Sequence, residues 1–200
     1  MPPTVQEHTL GLTWVMDDPM RRACHALIDD DERLWLVDPV DDGHAVEHAV
    51  ALGRPAAVLQ LLDRHNRDCA AVAARLGVPH LKVPDAVPGS PFVLQRLIRN
   101  RLWNEVALLW PERRALVVAE ALGTAPGFAV GDGPVGMHPM LRLLPPRGLR
   151  GDNLRHLLVG HGRPLHGREV PGAIDGAVAN ARRDLPRLLR QLPAMVRAVR

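Results

Sequence analysis

Two hundred residues with 46% apolar content are enough for one domain with a real core, and they exclude a disordered chain. The net charge of +3 rests almost wholly on arginine, with Lys82 the one lysine. Those arginines are scattered among 22 acids, so the clustered basic patch of a nucleic-acid binder is missing.

Cys24 and Cys69 are too few and too far apart for a disulfide framework or a Cys-x-x-Cys site. The N-terminus lacks a charged-then-apolar signal pattern, and no apolar run approaches the ~20 residues of a membrane span. The expectation is a cytoplasmic protein without membrane or nucleic-acid partners.

The first forty residues read as strands. "HTLGLTWVMDD" and "RRACHALIDDDERLWLVDP" carry β-branched and aromatic residues broken by Asp-rich turns, with "IDDDE" a hairpin tip. Residues 43–52, "GHAVEHAVAL", have helical spacing, with Ala45, Val46, Ala49 and Val50 on one face. "RPAAVLQLL" is the next strand. A helix over Cys69 to Leu76 follows, ended by Gly77, and "VPHLKVP" is a short strand. This alternation implies packed α/β layers. Between strand and helix lies a run of six polar residues, Asp63, Arg64, His65, Asn66, Arg67 and Asp68, a natural place for a binding turn.

From Pro84 to Asn104 prolines and Gly89 indicate loop, and "FVLQRLIRNRL" fits either a short helix or a strand. "EVALLWPERRALVVAEALG" reads as two apolar strands around a turn at Pro111 to Arg114. "TAPGFAVGDGPVGMHPM" reads as a surface loop, and "LRHLLVGHGRPLHG" as a strand ending at Gly160-His161-Gly162. The segment 171–200 is helical, with Arg on its outer face and interruptions at Pro186 and Pro193. Its apolar face would pack on the domain, form a homo-oligomer contact or lie on an anionic membrane, and the two prolines, which would break a long membrane-lying helix, favour packing against protein. Nothing splits the chain, so residues 1–200 are expected to be one domain.

Four features fall in order: "LVDP" with Asp38, the polar turn, "VVAEALG" with Glu120, and "LLVGHG" with His161. This order resembles the metallo-β-lactamase superfamily across nearly the whole chain. The resemblance implies a four-layer αββα sandwich with its metal site along one edge. In that family two divalent ions activate a shared water for attack on an ester, thioester, amide or phosphodiester. The polar turn stands where the family has His-x-His-x-Asp-His. Asp63 stands at the first His position, His65 keeps the second, Arg67 takes the Asp position and Asp68 the last His position. Arg101 stands at the middle His position, Glu120 at the bridging Asp position, and His161 keeps the late His.

This set implies no dinuclear centre. Asp63, His65, Asp68, Glu120 and His161 are the candidate ligands for a single zinc or other divalent ion. Arg67 and Arg101 cannot coordinate a cation, since guanidinium only donates. They are expected to replace the metal's charge by pairing with Asp63, Asp68 or Glu120. Two readings stand: a non-catalytic or weakly active relative whose pocket binds a small anionic ligand, and a mononuclear metal-dependent hydrolase. Each residue also has a plainer role. Asp68 suits the N-cap of the next helix, Asp38 a turn ahead of Pro39, and His65 a hydrogen-bonded, half-buried histidine. His138 and His166 lie in loops as further candidates. Ser90 is the only serine and sits in no strand-to-helix elbow, which weighs against serine catalysis.

Overall fold

A computed structural model of the chain describes residues 2–191. The first half builds a six-stranded sheet. It runs β1 (Thr4–His8), β2 (Gly11–Val15), β3 (Ala23–Ile28), β4 (Arg33–Val37), α1 (Gly43–Leu52), β5 (Arg54–Gln60), α2 (Cys69–Leu76) and β6 (His80–Lys82). Its strands lie in chain order, antiparallel from β1 to β4 and parallel from β4 to β6. The parallel crossovers are the two predicted helices, whose bounds match the apolar spacing residue for residue.

The second half contributes β7 (Val93–Asn100), β8 (Trp103–Trp110), β9 (Ala115–Val118), the short pair β10 (Leu122–Gly123) and β11 (Gly136–Met137), then β12 (His156–Val159), β13 (Leu165–His166) and α3 (Val170–Asn180). Its five-stranded sheet has the order β13-β12-β9-β8-β7, with β9 and β12 parallel. The open choice for residues 92–102 resolves to a strand.

Alternation along each strand sorts the core into layers. On β4, Leu34 and Leu36 join Ala45, Val46 and Ala49 of α1 and Val72 of α2 in one cluster. Trp35 and Val37 point the other way, into a larger cluster shared with Val106, Leu108, Leu116 and Val118 of the second sheet. All four residues of β9 are buried, so both faces of that sheet are covered. Val170, Ile174 and Ala177 of α3 belong to that same larger cluster. The chain therefore forms an α/β sandwich around two sheets.

The "TAPGFAVGDGPVGMHPM" stretch is not the surface loop expected. Phe128, Val130, Val135 and Met137 are buried, and β10 pairs with β11 inside it. Beyond α3 the chain is helical again from 185 to 191, with Pro186 in its first turn and Leu188 buried. The remaining apolar tail positions, Leu192, Met195, Val196 and Val199, and the break at Pro193 lie outside the described residues. Among the described residues no helix is long and apolar enough to cross a membrane.

The sheets meet along the edge where the parallel strands end. Ala23 N–H donates to Gly160 O at 2.8 Å and Gly162 N–H to Arg21 O at 2.8 Å, stitching the start of β3 to the end of β12. Val106 N–H likewise donates to Leu61 O at 2.9 Å. This seam holds the turns after β4, β5, β9 and β12 side by side.

Candidate metal centre

Each of those four turns delivers one side chain. Asp38 follows β4, His65 lies in the polar turn after β5, Glu120 follows β9, and His161 follows β12. His65 Nδ1 is 3.2 Å from Asp38 Oδ2, and its Nε2 is 3.0 Å from Glu120 Oε1. His161 Nε2 lies 3.6 Å from the same Glu120 oxygen. One ligand atom from each of His65, Glu120 and His161 lies within 4.8 Å of the others, and among the described residues this is the one such group.

A carbonyl partner settles the tautomer of His161. His161 Nδ1 donates to Met20 O at 2.8 Å, because a carbonyl can only accept. In the neutral ring Nε2 then carries a lone pair. That atom is buried, has no hydrogen-bond partner among the described residues, and faces a carboxylate oxygen. Two electron-rich atoms facing each other in this way are reconciled by a cation or a proton between them. His65 lies between two carboxylates, Asp38 at Nδ1 and Glu120 at Nε2; with Nδ1–H on Asp38, its Nε2 would be available to the site, as in the carboxylate–histidine pairs that stand behind metals. The left-handed backbone at Asp38 (φ 46°) turns its carboxylate back over the site, where Oδ1 also accepts from Leu61 N–H. Asp38 is thus more than a turn former.

Electrostatics follow from this packing. Burial and the Arg67 charge oppose protonation of His65, but the Asp38 and Glu120 carboxylates outweigh them and raise its pKa. Burial would raise Glu120, yet the surrounding imidazoles hold it far below the usual carboxylate range.

Two residues complete the surroundings. His138, just past β11, sits with Nε2 at 3.7 Å from Glu120 Oε2. Its Nδ1 accepts from Met140 N–H, so its own N–H points at Glu120 and it offers a donor rather than a ligand. Burial pushes its pKa down to about 4. Glu105, on β8, is wholly buried directly behind Glu120. Its Oε1 accepts from the N–H groups of Ala119, Glu120 and Ala121, and its Oε2 from Trp103 Nε1. The carboxylate therefore moulds the turn that aims Glu120. Its one mark in the sequence is that it is a lone acid inside the apolar run "NEVALLW", which does not say what the carboxylate holds.

Several expected roles fail. Asp63 is outside the cluster; its Oδ1 is 3.7 Å from Arg64 Nε and it bonds nothing else through that oxygen. Asp68 is also outside it. It occupies the cap position of α2 but makes no side-chain cap bond, and Oδ2 accepts from Asp41 N–H instead. Arg101 is exposed in the β7–β8 turn and reaches no site residue. Arg67 does point inward, but among the described residues it pairs with no carboxylate. Its guanidinium donates to the carbonyls of Ala23 (2.6 Å), Asp38 (2.8 Å) and Gly160 (2.9 Å). It satisfies strand ends from both sheets, a partner set that no sequence pattern records. His166 lies elsewhere, against His156 and His8.

The arrangement of sheets and helices is shared with solved structures. A metallo-β-lactamase from Erythrobacter litoralis superposes with a TM-score of 0.58 at 12% identity, covering 90% of this chain and 92% of that one. The metallo-β-lactamase FIM-1 from Pseudomonas aeruginosa, in its mono-zinc form, gives 0.56 at 11%, covering 91% and 97%. One from Hirschia baltica gives 0.55 at 12%, covering 89% and 98%. The chain has the metallo-β-lactamase fold. At these identities the likeness concerns the fold alone, and the sequence matches no family model and none of the curated proteins. Within the metallo-β-lactamase fold, this chain offers a three-residue site suited in size and donor type to one divalent ion.

Proposed function

We propose that this chain is a metallo-β-lactamase-fold protein whose site has contracted to a single metal, and that it acts as a slow metal-dependent hydrolase of an ester, thioester or phosphodiester. The observation that carries the reading is His161 Nε2: a buried, unpartnered nitrogen whose other ring nitrogen is locked to Met20 O. The ligands would be His65 Nε2, His161 Nε2 and a Glu120 oxygen. A bound divalent ion would lower the pKa of water and polarise an acyl or phosphoryl oxygen. The chain's own residues do the rest. Asp38 and Met20 O orient the two imidazoles, Glu105 fixes the Glu120 turn, and His138 directs an N–H toward the space beside Glu120. Arg67 occupies the region where a second ion would need a carboxylate. A protein of the same fold solved in a mono-zinc form is consistent with a single-ion site.

A non-catalytic reading draws on His65, which spans Asp38 and Glu120 within hydrogen-bond reach of both. A protonated His65 would neutralise the site much as a cation does. Elemental analysis with zinc titration separates the two. The hydrolase reading expects about one equivalent of metal, lost in His161→Ala and Glu120→Ala, with hydrolysis of aryl esters dependent on it. Protein that takes up no zinc and shows no zinc-dependent rise in Tm would leave only the non-catalytic reading. Two tightly held equivalents would overturn both.

A further inference from the structure

Outward from Glu120 the site has one continuous wall. The His138 ring packs edge-on against Trp103, with centroids 4.8 Å apart. The Arg64 guanidinium lies over the Trp103 ring, 4.4 Å from its centroid. Arg64 Nη2 donates to Leu102 O, and Nε faces Asp63 Oδ1 at 3.7 Å, which leaves Nη1 uncommitted among the described residues. Stacking on Trp103 limits the orientations of this cation before any ligand arrives, which lowers the ordering cost. Beside the wall stand two large apolar side chains in water. Leu102 is 79% exposed at the tip of the β7–β8 turn, and Met140 is 66% exposed two residues beyond His138. A stacked, half-exposed guanidinium with bare apolar side chains nearby complements a molecule with an anionic head and an apolar chain.

We propose that the mouth of the site recognises an anionic amphiphile, its charged group held by Arg64 and its apolar part laid on Leu102 and Met140; as a statement of substrate class this rests on the hydrolase reading above. The hydrolysable substrate is then an acyl ester or thioester that carries a carboxylate, sulfonate or phosphate. Asp63 tempers the Arg64 charge, which favours a singly charged head over a multiply charged polyanion.

Decane-1-sulfonate is the probe of choice, because a sulfonate is a poor metal ligand and reports on Arg64 rather than on any ion. Isothermal titration compares it with decanol and with butane-1-sulfonate on the full chain, zinc-loaded and chelator-treated. The expected result is at least tenfold tighter binding of decane-1-sulfonate than of either comparator, in both metal states. Arg64→Gln should erase the preference over decanol, and the Leu102→Ser, Met140→Ser pair should erase the preference over the short chain. Equal affinity for sulfonate and decanol, or a preference unchanged in Arg64→Gln, overturns the proposal. Binding that survives in a chain taking up no zinc defeats the hydrolase reading and leaves the recognition surface standing. Stoichiometric zinc without the sulfonate preference defeats the recognition surface alone.

Discussion

Arg67 shows what one side chain can hold. It sits in the left-handed region (φ 37°), and its guanidinium collects carbonyls from the start of β3, the turn after β4 and the turn after β12. Hydrogen bonds from a charged donor contribute about 1.5–3 kcal/mol each, and a buried carbonyl left without any partner costs about 1–3 kcal/mol. Arg67→Ala is therefore expected to lose about 3 kcal/mol or more, a Tm drop of roughly 6–12 °C for a chain this size. Arg67→Lys should recover little, because an ammonium cannot span the three acceptors. Arg113→Ala, at an exposed ion pair with Asp30, should change stability by less than about 1 kcal/mol. Similar losses in the two alanine variants, measured by thermal melts, would show that the carbonyl cluster contributes nothing. Glu105 is the anionic counterpart, one carboxylate serving four donors. Glu105→Ala orphans all four and is expected to cost about 3 kcal/mol or more. Glu105→Gln keeps an acceptor for the three backbone N–H groups but sets its amide against Trp103 Nε1–H, so it should fall between Ala and wild type in urea unfolding.

At the scale of elements, period and punctuation carried most of the reading. The helices over 43–52 and 69–76 follow from apolar spacing, and the second ends at Gly77 with φ 65°, where a left-handed stop needs no Cβ. The 124–140 stretch misled because Gly and Pro usually mark exposed turns, whereas here Gly123 and Gly136 let backbone and the Phe128 ring approach too closely for a side chain. Of the site, His65, Glu120 and His161 were legible as strand-end residues. Glu105, the inward role of Asp38 and the carbonyl partners of Arg67 were not, because they depend on which turns the seam brings together. A second link across the sheets was equally hidden. Leu10 N–H donates to His8 Nδ1, His8 Nε2–H to Thr13 Oγ1, the Thr13 hydroxyl to His25 Nδ1, and His25 Nε2–H to Val159 O. Every donor has one acceptor only while both histidines are neutral. Burial pushes His8 down to about 4 and His25 to about 3. Since the unfolded chain binds these protons near the ordinary value of 6.5, the stability they contribute is complete above about 6.5 and falls progressively toward about 3. His65, raised instead, contributes in the opposite sense: its share is present below 6.5 and lost as pH rises through its folded pKa. Melting temperature is expected to decline from pH 6.5 to pH 4, with a shallower slope in His25→Gln. An unchanged slope in that variant would mean the relay does not govern acid sensitivity.

For the whole molecule, the fold survives at 9–12% identity to its structural neighbours because two clusters of apolar residues at the right alternation are enough to specify the layers. Each sheet is also built from one uninterrupted stretch of chain, 4–82 for the first and 93–166 for the second. The candidate site does not respect that division. Asp38 and His65 belong to the first stretch, Glu120 and His161 to the second. A cut between Pro88 and Gly89, both exposed, would sever no strand yet would part these four residues two and two. Neither fragment alone could then hold zinc at this site, and mixing them should restore about one equivalent together with the joined sandwich. Zinc uptake would thereby serve as a register gauge, reporting whether two separately made halves have found each other in the right alignment. A lone fragment that bound zinc as tightly as the pair would place the ligands elsewhere.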